Sequence, residues 1–346
     1  MSNNSKHPVQ LGYTMPAEWE PHYGTWLSYP HAPETFFDKL DSVRNTYCEM
    51  IKIIAEGEQV HVNVNDEEMK KDLEKRLADN KVTKNVHIHL FPTDDAWCRD
   101  HGAIFVKNVE RGELAATVWK FNSWGEKYPY KKDAKIAKKM ADTFKLKSFD
   151  SKLVFEGGSI DVNGNGVLLT TESCLLNPNR NMDLSREDIE KVLQNYFGVK
   201  KVLWLGEGIE GDDTDGHIDD ISRFVNENTI VTVIEKDEND INFEPLKDNL
   251  ERLITYTDCE GKPFSIVTLP MPDSIIADGK QMPASYANFY IANAAVIVPM
   301  FDCKHDKTVL EILRRYFPDR KVVGLPASDV VLGFGAFHCL TQQIPK

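Results

Sequence analysis

Six times along this chain a polar or glycine-rich stretch runs straight into a β-hairpin pattern, at about residues 20, 100, 156, 217, 288 and 338. Glu18–Pro30 reads as a turn followed by a short aromatic strand. Thr93-Asp-Asp-Ala-Trp-Cys-Arg-Asp-His-Gly102 is dense in charge yet opens directly into the apolar strand Ala103–Val106. Phe155–Val162 passes through Asn163-Gly164-Asn165-Gly166, an Asn-Gly hairpin signal, into Val167–Thr170. Gly211–Val225 leads through Asn226–Asn228 into Thr229–Ile234, and Ala284–Ile291 leads through Ala292-Asn293 into Ala294–Pro299. Gly333–Pro345 supplies the last entrance. A hairpin this short has no core of its own, so its copies must bury their apolar faces against one another. The layout predicts β-rich units placed around an axis with their polar entrances converging, as one domain spanning 1–346 without a linker.

Helices separate these units. Phe36, Phe37, Leu40, Val43, Tyr47, Met50, Ile51 and Ile54 recur at helical spacing over 35–56, with Gly57 as the stop. Val60–Val64 alternates with period two, a helix capped by Asp66 turns Met69, Leu73 and Leu77 to one face, and Val86–Phe91 is a further strand. Ser185 caps a helix that ends at Phe197 before Gly198, and Asp306 opens one that runs to Phe317 before Pro318. The polar stretch Glu235–Asn249 reads as a surface loop leading into a helix. The alternation of strands and helices assigns the chain to the α/β class.

The entrances are rich in carboxylates, and the chain as a whole is acidic. Asp plus Glu number 54 against 41 Lys plus Arg, a formal charge of −13, which disfavours nucleic acid and suits a cationic ligand. No apolar run approaches the roughly 18 residues that cross a bilayer, and the start Met1–His7 is polar. A cytoplasmic protein without a membrane partner is therefore expected. Cysteines at 48, 98, 174, 259, 303 and 339 form no C-x-x-C pair, so reduced thiols are expected and neither a zinc knuckle nor a disulfide framework is indicated. His87 and His89 share one strand face. With no third ligand nearby they read as a polar face and not as a metal site.

Collected from the entrances, the candidates for chemistry are Asp100, Glu156, His217, Asp219 and Cys339. A guanidinium is a planar, permanently charged fork of N–H donors that carboxylates bind by charge-assisted hydrogen bonds. Its carbon is a poor electrophile, so a catalyst must hold the plane between carboxylates and bring a thiolate to its face. Cys339 is the candidate nucleophile, preceded by the turn Gly333-x-Gly335 that lets the backbone pass close to its surroundings. His217 is the candidate acid/base, able to give a proton to leaving ammonia and to take one from attacking water. A bound cation would favour the thiolate of Cys339, making the hydrolysis substrate-assisted. Two carboxylates have ready alternative partners, Arg99 for Asp100 and Arg223 for Asp219. His338 adjoins the nucleophile, but on an extended chain it would point the other way.

Seven segments together resemble the agmatine deiminases and the bacterial-type peptidylarginine deiminase family that contains them. They are Met15-Pro-Ala-Glu-Trp-Glu-Pro-His22, Trp97-Cys-Arg-Asp-His-Gly102, Glu156-Gly-Gly-Ser159, Thr170-Thr-Glu-Ser-Cys-Leu-Leu-Asn-Pro-Asn-Arg-Asn181, Asp213-Thr-Asp-Gly-His-Ile-Asp219, Pro283-Ala-Ser-Tyr-Ala-Asn-Phe-Tyr290 and His338-Cys-Leu-Thr-Gln-Gln343. The resemblance implies a pentein fold, a fivefold pseudosymmetric α/β-propeller of ββαβ-type units around a central active site. It implies hydrolysis of agmatine to N-carbamoylputrescine and ammonia through a covalent thiouronium on Cys339, without a metal or an organic cofactor. It further implies His217 as general acid/base, Asp100, Glu156 and Asp219 as the guanidinium clamp, and Trp97 as a wall of the substrate channel. Asp213 would lie near the substrate's distal ammonium, where Asp212 and Asp215 are its neighbours and competitors. A homo-oligomer, dimer or tetramer, is also implied. In one place the chain departs from the family's usual Gly-Gly-Gly-Asn-Ile-His-Cys, carrying Phe334 and Ala336 before the nucleophile. That difference bears on which guanidine is preferred.

Three other functions compete. Peptidyl or free arginine, or another guanidinoalkylamine, would use the same chemistry; the carboxylate of free arginine would need a cation, and the matched entrances offer Arg99 and Arg180 alone. A non-catalytic polyamine- or arginine-binding protein would have no use for the thiol. A papain-like hydrolase would place its Cys ahead of its His, the reverse of the order here.

Overall fold

The computed structural model describes residues 6–346; the polar start Met1–Ser5 lies outside the described residues. Among the described residues eighteen strands are formed: β1 His22–Ser28, β2 Gln59–Val64, β3 Val86–Leu90, β4 Ile104–Asn108, β5 Glu113–Lys120, β6 Lys147–Val154, β7 Asp161–Val162, β8 Val167–Thr171, β9 Lys201–Leu205, β10 Ser222–Asn226, β11 Thr229–Ile234, β12 Ser265–Pro270, β13 Ile276–Ala277, β14 Lys280–Gln281, β15 Tyr290–Ile291, β16 Ala295–Met300, β17 Lys321–Pro326 and β18 Thr341–Pro345. Apart from the small β13–β14 hairpin they make five sheets of three or four strands among the described residues.

The five sheets share one plan. An antiparallel pair is followed by a helix that returns the chain to a third strand, parallel to the second: β4–β5 then β6 across Ile136–Thr143, β7–β8 then β9 across Arg186–Phe197, β10–β11 then β12 across Phe243–Thr255, and β15–β16 then β17 across Asp306–Arg314. In the fifth sheet β1 pairs in parallel with β2 across Leu40–Ile54, and its antiparallel mate is β18 from the far end of the chain. The entrances near 20 and 338 are thus two halves of one unit. Six sequence entrances become five sheets because the last strand pairs with the first.

Local sequence accounts for the elements. The Asn163–Gly166 turn delivers β7 to β8 with Gly164 and Gly166 at φ 68° and 87°, a conformation that costs glycine nothing. Ser185 caps its helix by accepting from the Asp188 N–H, and Gly198 closes it in the left-handed region at φ 73°. Asp66 caps Glu67–Asp79 in the same way through Met69.

Four expectations shift. The apolar stripe over 35–56 is not one helix: a turn, Pro33–Phe36, breaks at Phe37 (φ 50°) before Leu40–Ile54 begins, which frees Thr35 to face the site described below. The helix opened near Asp306 ends at Arg314, short of Phe317. Within the polar stretch 235–249 the helix already starts at Phe243. His87 and His89 are not a bare polar face either, since both stack on His61 of β2, and His89 stacks on Trp26. Among the described residues no helix is long and apolar enough to cross a membrane.

Candidate active site

The polar entrances deliver their residues on single turns of helix. Cys98–His101 carries Asp100, Gly157–Ser159 follows Glu156, Ile218–Asp220 follows His217 and carries Asp219, and Phe337–Leu340 carries Cys339. Asp100, His217 and Asp219 converge on Gly158. A Cβ at that position would come within 2.6 Å of His217 Nδ1, 2.8 Å of Asp100 Oδ1 and 3.2 Å of Asp219 Oδ2, so only glycine admits the three side chains together. Its N–H donates to Asp100 Oδ1 at 2.9 Å, while the Trp124 indole N–H donates to Asp100 Oδ2 at 3.0 Å.

The alternative partners named for these carboxylates are occupied elsewhere. Arg99 reaches Glu18 at 3.2 Å and Gln343 at 2.5 Å, and Arg223 reaches Glu18 at 3.0 Å and Asp161 at 3.5 Å. Asp219 is left facing the thiol of Cys339 at 3.6 Å, with its Oδ2 also accepting from His338 Nδ1 at 2.6 Å. Glu156 is held on one side only: Arg180 Nε donates to Oε1 at 2.7 Å, and Oε2, buried and without a partner, lies 4.0 Å from His217 Nε2. Both ring nitrogens of His217 are likewise buried and unpartnered, with Nδ1 3.7 Å from Asp100. Orphaned buried polar atoms are costly, and so many at one place point to a polar ligand that supplies the missing bonds.

Electrostatics agree with a site awaiting positive charge. Burial and the neighbouring Asp219 and Glu156 raise Asp100 well above the usual carboxylate range, and burial raises Glu156 even against Arg180. Burial works against the charge on Asp219, but the hydrogen bond and charge of His338 bring it below its ordinary value. Burial, then the carboxylates of Asp219, Asp220 and Asp100, push the Cys339 thiol well up. Burial takes His217 down to about 3, so its imidazole is neutral at neutral pH.

A cavity of about 100 Å³ opens onto Asp100 and Cys339. Its walls include Trp97, Trp124, Tyr128, Phe334 and four carboxylates, Glu34, Asp95, Asp100 and Asp213, but no lysine or arginine. Of the three competing aspartates, Asp213 is the one at this wall, hydrogen-bonded by the Tyr128 hydroxyl at 2.6 Å. Asp212 turns inward to the N–H groups of Thr214, Gly216 and His217, and Asp215 is taken up by Lys127, Asn179 and Arg180. Gly333 and Gly335 are needed for close approach, since a Cβ on either would stand within 3 Å of Trp97. The left-handed backbone of the turn falls instead on Phe334, at φ 69°.

Sequence reasoning left several contributors unassigned. His338 is not on an extended chain: Phe337–Leu340 is helical, so its ring turns into the site and bridges Asp219 and Glu18, the latter at 2.8 Å. Asn288 donates to Cys339 Sγ at 3.0 Å. Arg180 holds Glu156 Oε1 and the Trp124 indole holds Asp100 Oδ2. Asn288 and Glu18 carried a signal, being polar residues inside quoted entrance segments, whereas Trp124 sits on an irregular turn that no periodicity marks. Two groups of ligand-type atoms lie within 4.8 Å of one another, Glu156 with Cys174 and His217, and Asp219 with Asp220 and Cys339; both are buried and both overlap the residues just described.

An α/β scaffold that gathers a thiol, an imidazole and carboxylates under an acid-walled cavity defines a class, the guanidino-group enzymes. The comparisons place the chain within it: residues 14–345 match the Porphyromonas-type peptidyl-arginine deiminase family, and the chain belongs to that family. It is a hydrolase acting on a guanidino C–N bond. A Legionella pneumophila protein named provisionally as an agmatine deiminase is 37% identical, the match covering 99% of this chain and 98% of that one. The agmatine deiminase of Enterococcus faecalis has the same fold at a TM-score of 0.94 and 33% identity, over 99% and 98% of the two chains. A C. jejuni agmatine deiminase solved with substrate bound aligns at 0.87 and 33% identity over 96% of each. An amidinotransferase from Microseira wollei, 12% identical, shares the fold at 0.56 over 97% of each chain.

Proposed function

We propose that the protein hydrolyses agmatine to N-carbamoylputrescine and ammonia, with Cys339 as nucleophile. The observation that carries this reading is the wall of the cavity: Asp100 stands near the thiol, while Glu34, Asp95 and Asp213 add negative charge and no basic side chain is present. Agmatine is cationic at both ends, a guanidinium and a primary ammonium joined by an apolar tether that suits Trp97, Trp124 and Phe334. Free arginine would bring a carboxylate against these acids. Arg99 and Arg180 are engaged with Glu18 and Glu156 and do not line the cavity. Relatives over the full chain carry the agmatine deiminase name.

In the proposed mechanism the guanidinium settles among Asp100, Glu156 and Asp219 and supplies the hydrogen bonds that Glu156 Oε2 and Asp219 Oδ1 lack. At roughly 4 Å in a protein of intermediate dielectric, its charge favours the thiolate by about 4 kcal/mol, about three pH units. That term opposes the burial and carboxylates that keep the empty site's thiol protonated. The thiol proton passes to neutral His217 as Sγ bonds to the guanidinium carbon. His217 returns it to the departing nitrogen as the C–N bond breaks, releasing ammonia and leaving a thiouronium on Cys339. Water, deprotonated by His217, adds to the same carbon; the C–S bond breaks and the ureido product leaves. Asp213 holds the distal ammonium.

The repeated plan of the five sheets, with the entrance turns of three of them meeting at Gly158, supports reading them as blades of a fivefold α/β-propeller in one domain over 1–346. The proposal is tested by Cys339→Ser. Turnover of agmatine should fall below detection while agmatine still binds by calorimetry; a mutant with substantial turnover removes the covalent step.

A further inference from the structure

The segment Ala284–Ile291 enters the site but contributes nothing to the clamp or to proton transfer. Its Asn288 is nonetheless buried at 1% exposure against the sulfur of Cys339. The amide has one defined orientation. Oδ1 accepts from the N–H of His338 at 3.0 Å and from the N–H of Cys339 at 3.4 Å, so the oxygen must face the backbone of the nucleophile turn. Nδ2 therefore faces the other way, and its two hydrogens have two acceptors, Asp220 Oδ1 at 2.9 Å and Cys339 Sγ at 3.0 Å. Asp220 is itself buried, on the turn that carries Asp219, and points the amide at the sulfur.

We infer that Asn288 is a catalytic residue that donates a hydrogen bond to the Cys339 thiolate, holding the charged sulfur in place while it attacks and again when it leaves. The thiol needs such a donor. The charged groups facing it from the packed turns are Asp100, Asp219 and Asp220, all acidic, and every one of them disfavours the thiolate. His338, on the sulfur's own turn, spends both ring nitrogens on Asp219 and Glu18, and His217 has the proton transfers to perform. A donor N–H that carries no titrating charge stabilises the thiolate without repelling a cationic substrate. The same oxygen that fixes the amide also fixes the backbone of residues 338 and 339, so the donor and the sulfur are positioned by one group.

This inference rests on Cys339 being the nucleophile, and the test separates the two claims. The pH dependence of alkylation by a small haloacetamide is measured in the full-length protein with agmatine absent, and the label is located at Cys339 by peptide mass analysis, so that exposed Cys259 does not contribute. In Asn288→Ala and Asn288→Asp the midpoint should rise by about 1 to 2 pH units, the equivalent of one hydrogen bond to a charged group, with the larger rise in Asn288→Asp. Asn288→Ser, which keeps a donor, should lie between these and the wild type. Circular dichroism confirms folding, and whichever of the three variants fold carry the comparison. A midpoint that stays within about 0.3 units of the wild type, accompanied by a lower kcat, would show that Asn288 only supports the turn and would overturn the inference. Full turnover in Cys339→Ser would instead overturn the nucleophile assignment, whatever the alkylation shows.

Discussion

Asp213 lines the cavity wall beside Tyr128, and its neighbours decide what it can do. Burial raises its pKa, and Tyr128 and Lys127 draw it back by a hydrogen bond and by charge. A cation in the cavity would meet it as a carboxylate with one oxygen committed to Tyr128. Asp213→Asn keeps the shape and removes the charge. KM for agmatine should rise about 10-fold or more, about 1.4 kcal/mol per decade, with kcat changed much less, because the contact is the same in ground and transition states; steady-state kinetics check this, and an unchanged KM would take Asp213 out of the substrate site. The choice of Asp213 over Asp212 and Asp215 was not legible from spacing, because all three lie on one irregular turn whose φ reverses at Asp215 (69°). Asp100, Glu156, His217 and Asp219 stood out as candidates because each lies in a polar stretch that leads into strand residues, and Cys339 because it follows the glycine-rich turn Gly333-x-Gly335. Asn288 was marked only as a polar residue within an entrance segment, because an amide carries no charge to single it out.

Each candidate for chemistry is presented by one turn of helix at the mouth of a hairpin, and these turns pack on one another and not on the surface. Such turns are too short for periodicity to reveal, which is why the hairpins could be read from sequence and the orientation of His338 could not. Phe37 similarly breaks a stripe that looks continuous, since hydrophobic spacing is insensitive to a single residue at positive φ. The histidine column on β2 and β3 belongs to this scale. Burial and neighbouring histidines lower His61 to about 3 and His89 to about 4. Between pH 6.5 and 4 the unfolded chain binds protons at these positions that the folded chain refuses, so the pair makes stability fall as pH falls. Asp95 and Asp212, raised to about 6 chiefly by burial, act in the opposite direction over much of that window, but equally in wild type and mutant. His89→Phe keeps a ring on Trp26 and removes one of the two titrating groups. It should give a shallower loss of thermal stability from pH 6.5 to 4 than the wild type, read as Tm against pH; parallel curves would mean that His89 takes up protons in the fold.

Over the whole molecule, the chain's −13 charge has a local counterpart in a cavity walled by four carboxylates. The alternation of strands and helices was legible throughout, since hairpins and amphipathic helices leave periodic traces. The pairing of β18 with β1 was not, because it joins residues more than 300 positions apart and depends on how the intervening units return the chain. That closure reaches the candidate site: Thr341, at the start of β18, directly follows the turn carrying Cys339, and so ties Cys339 to the first sheet. Phe334 is bulky and held at φ 69° in the cavity wall, so any effect it has on substrate choice is an effect on the whole cavity. The most direct measurement is a colorimetric ureido assay of the purified protein on agmatine, free arginine and an arginyl peptide side by side. An acid-walled cavity without a cation predicts ureido product from agmatine and at least 100-fold less from the other two, about 2.7 kcal/mol of discrimination; equal or faster turnover of free arginine or of the peptide would contradict the account.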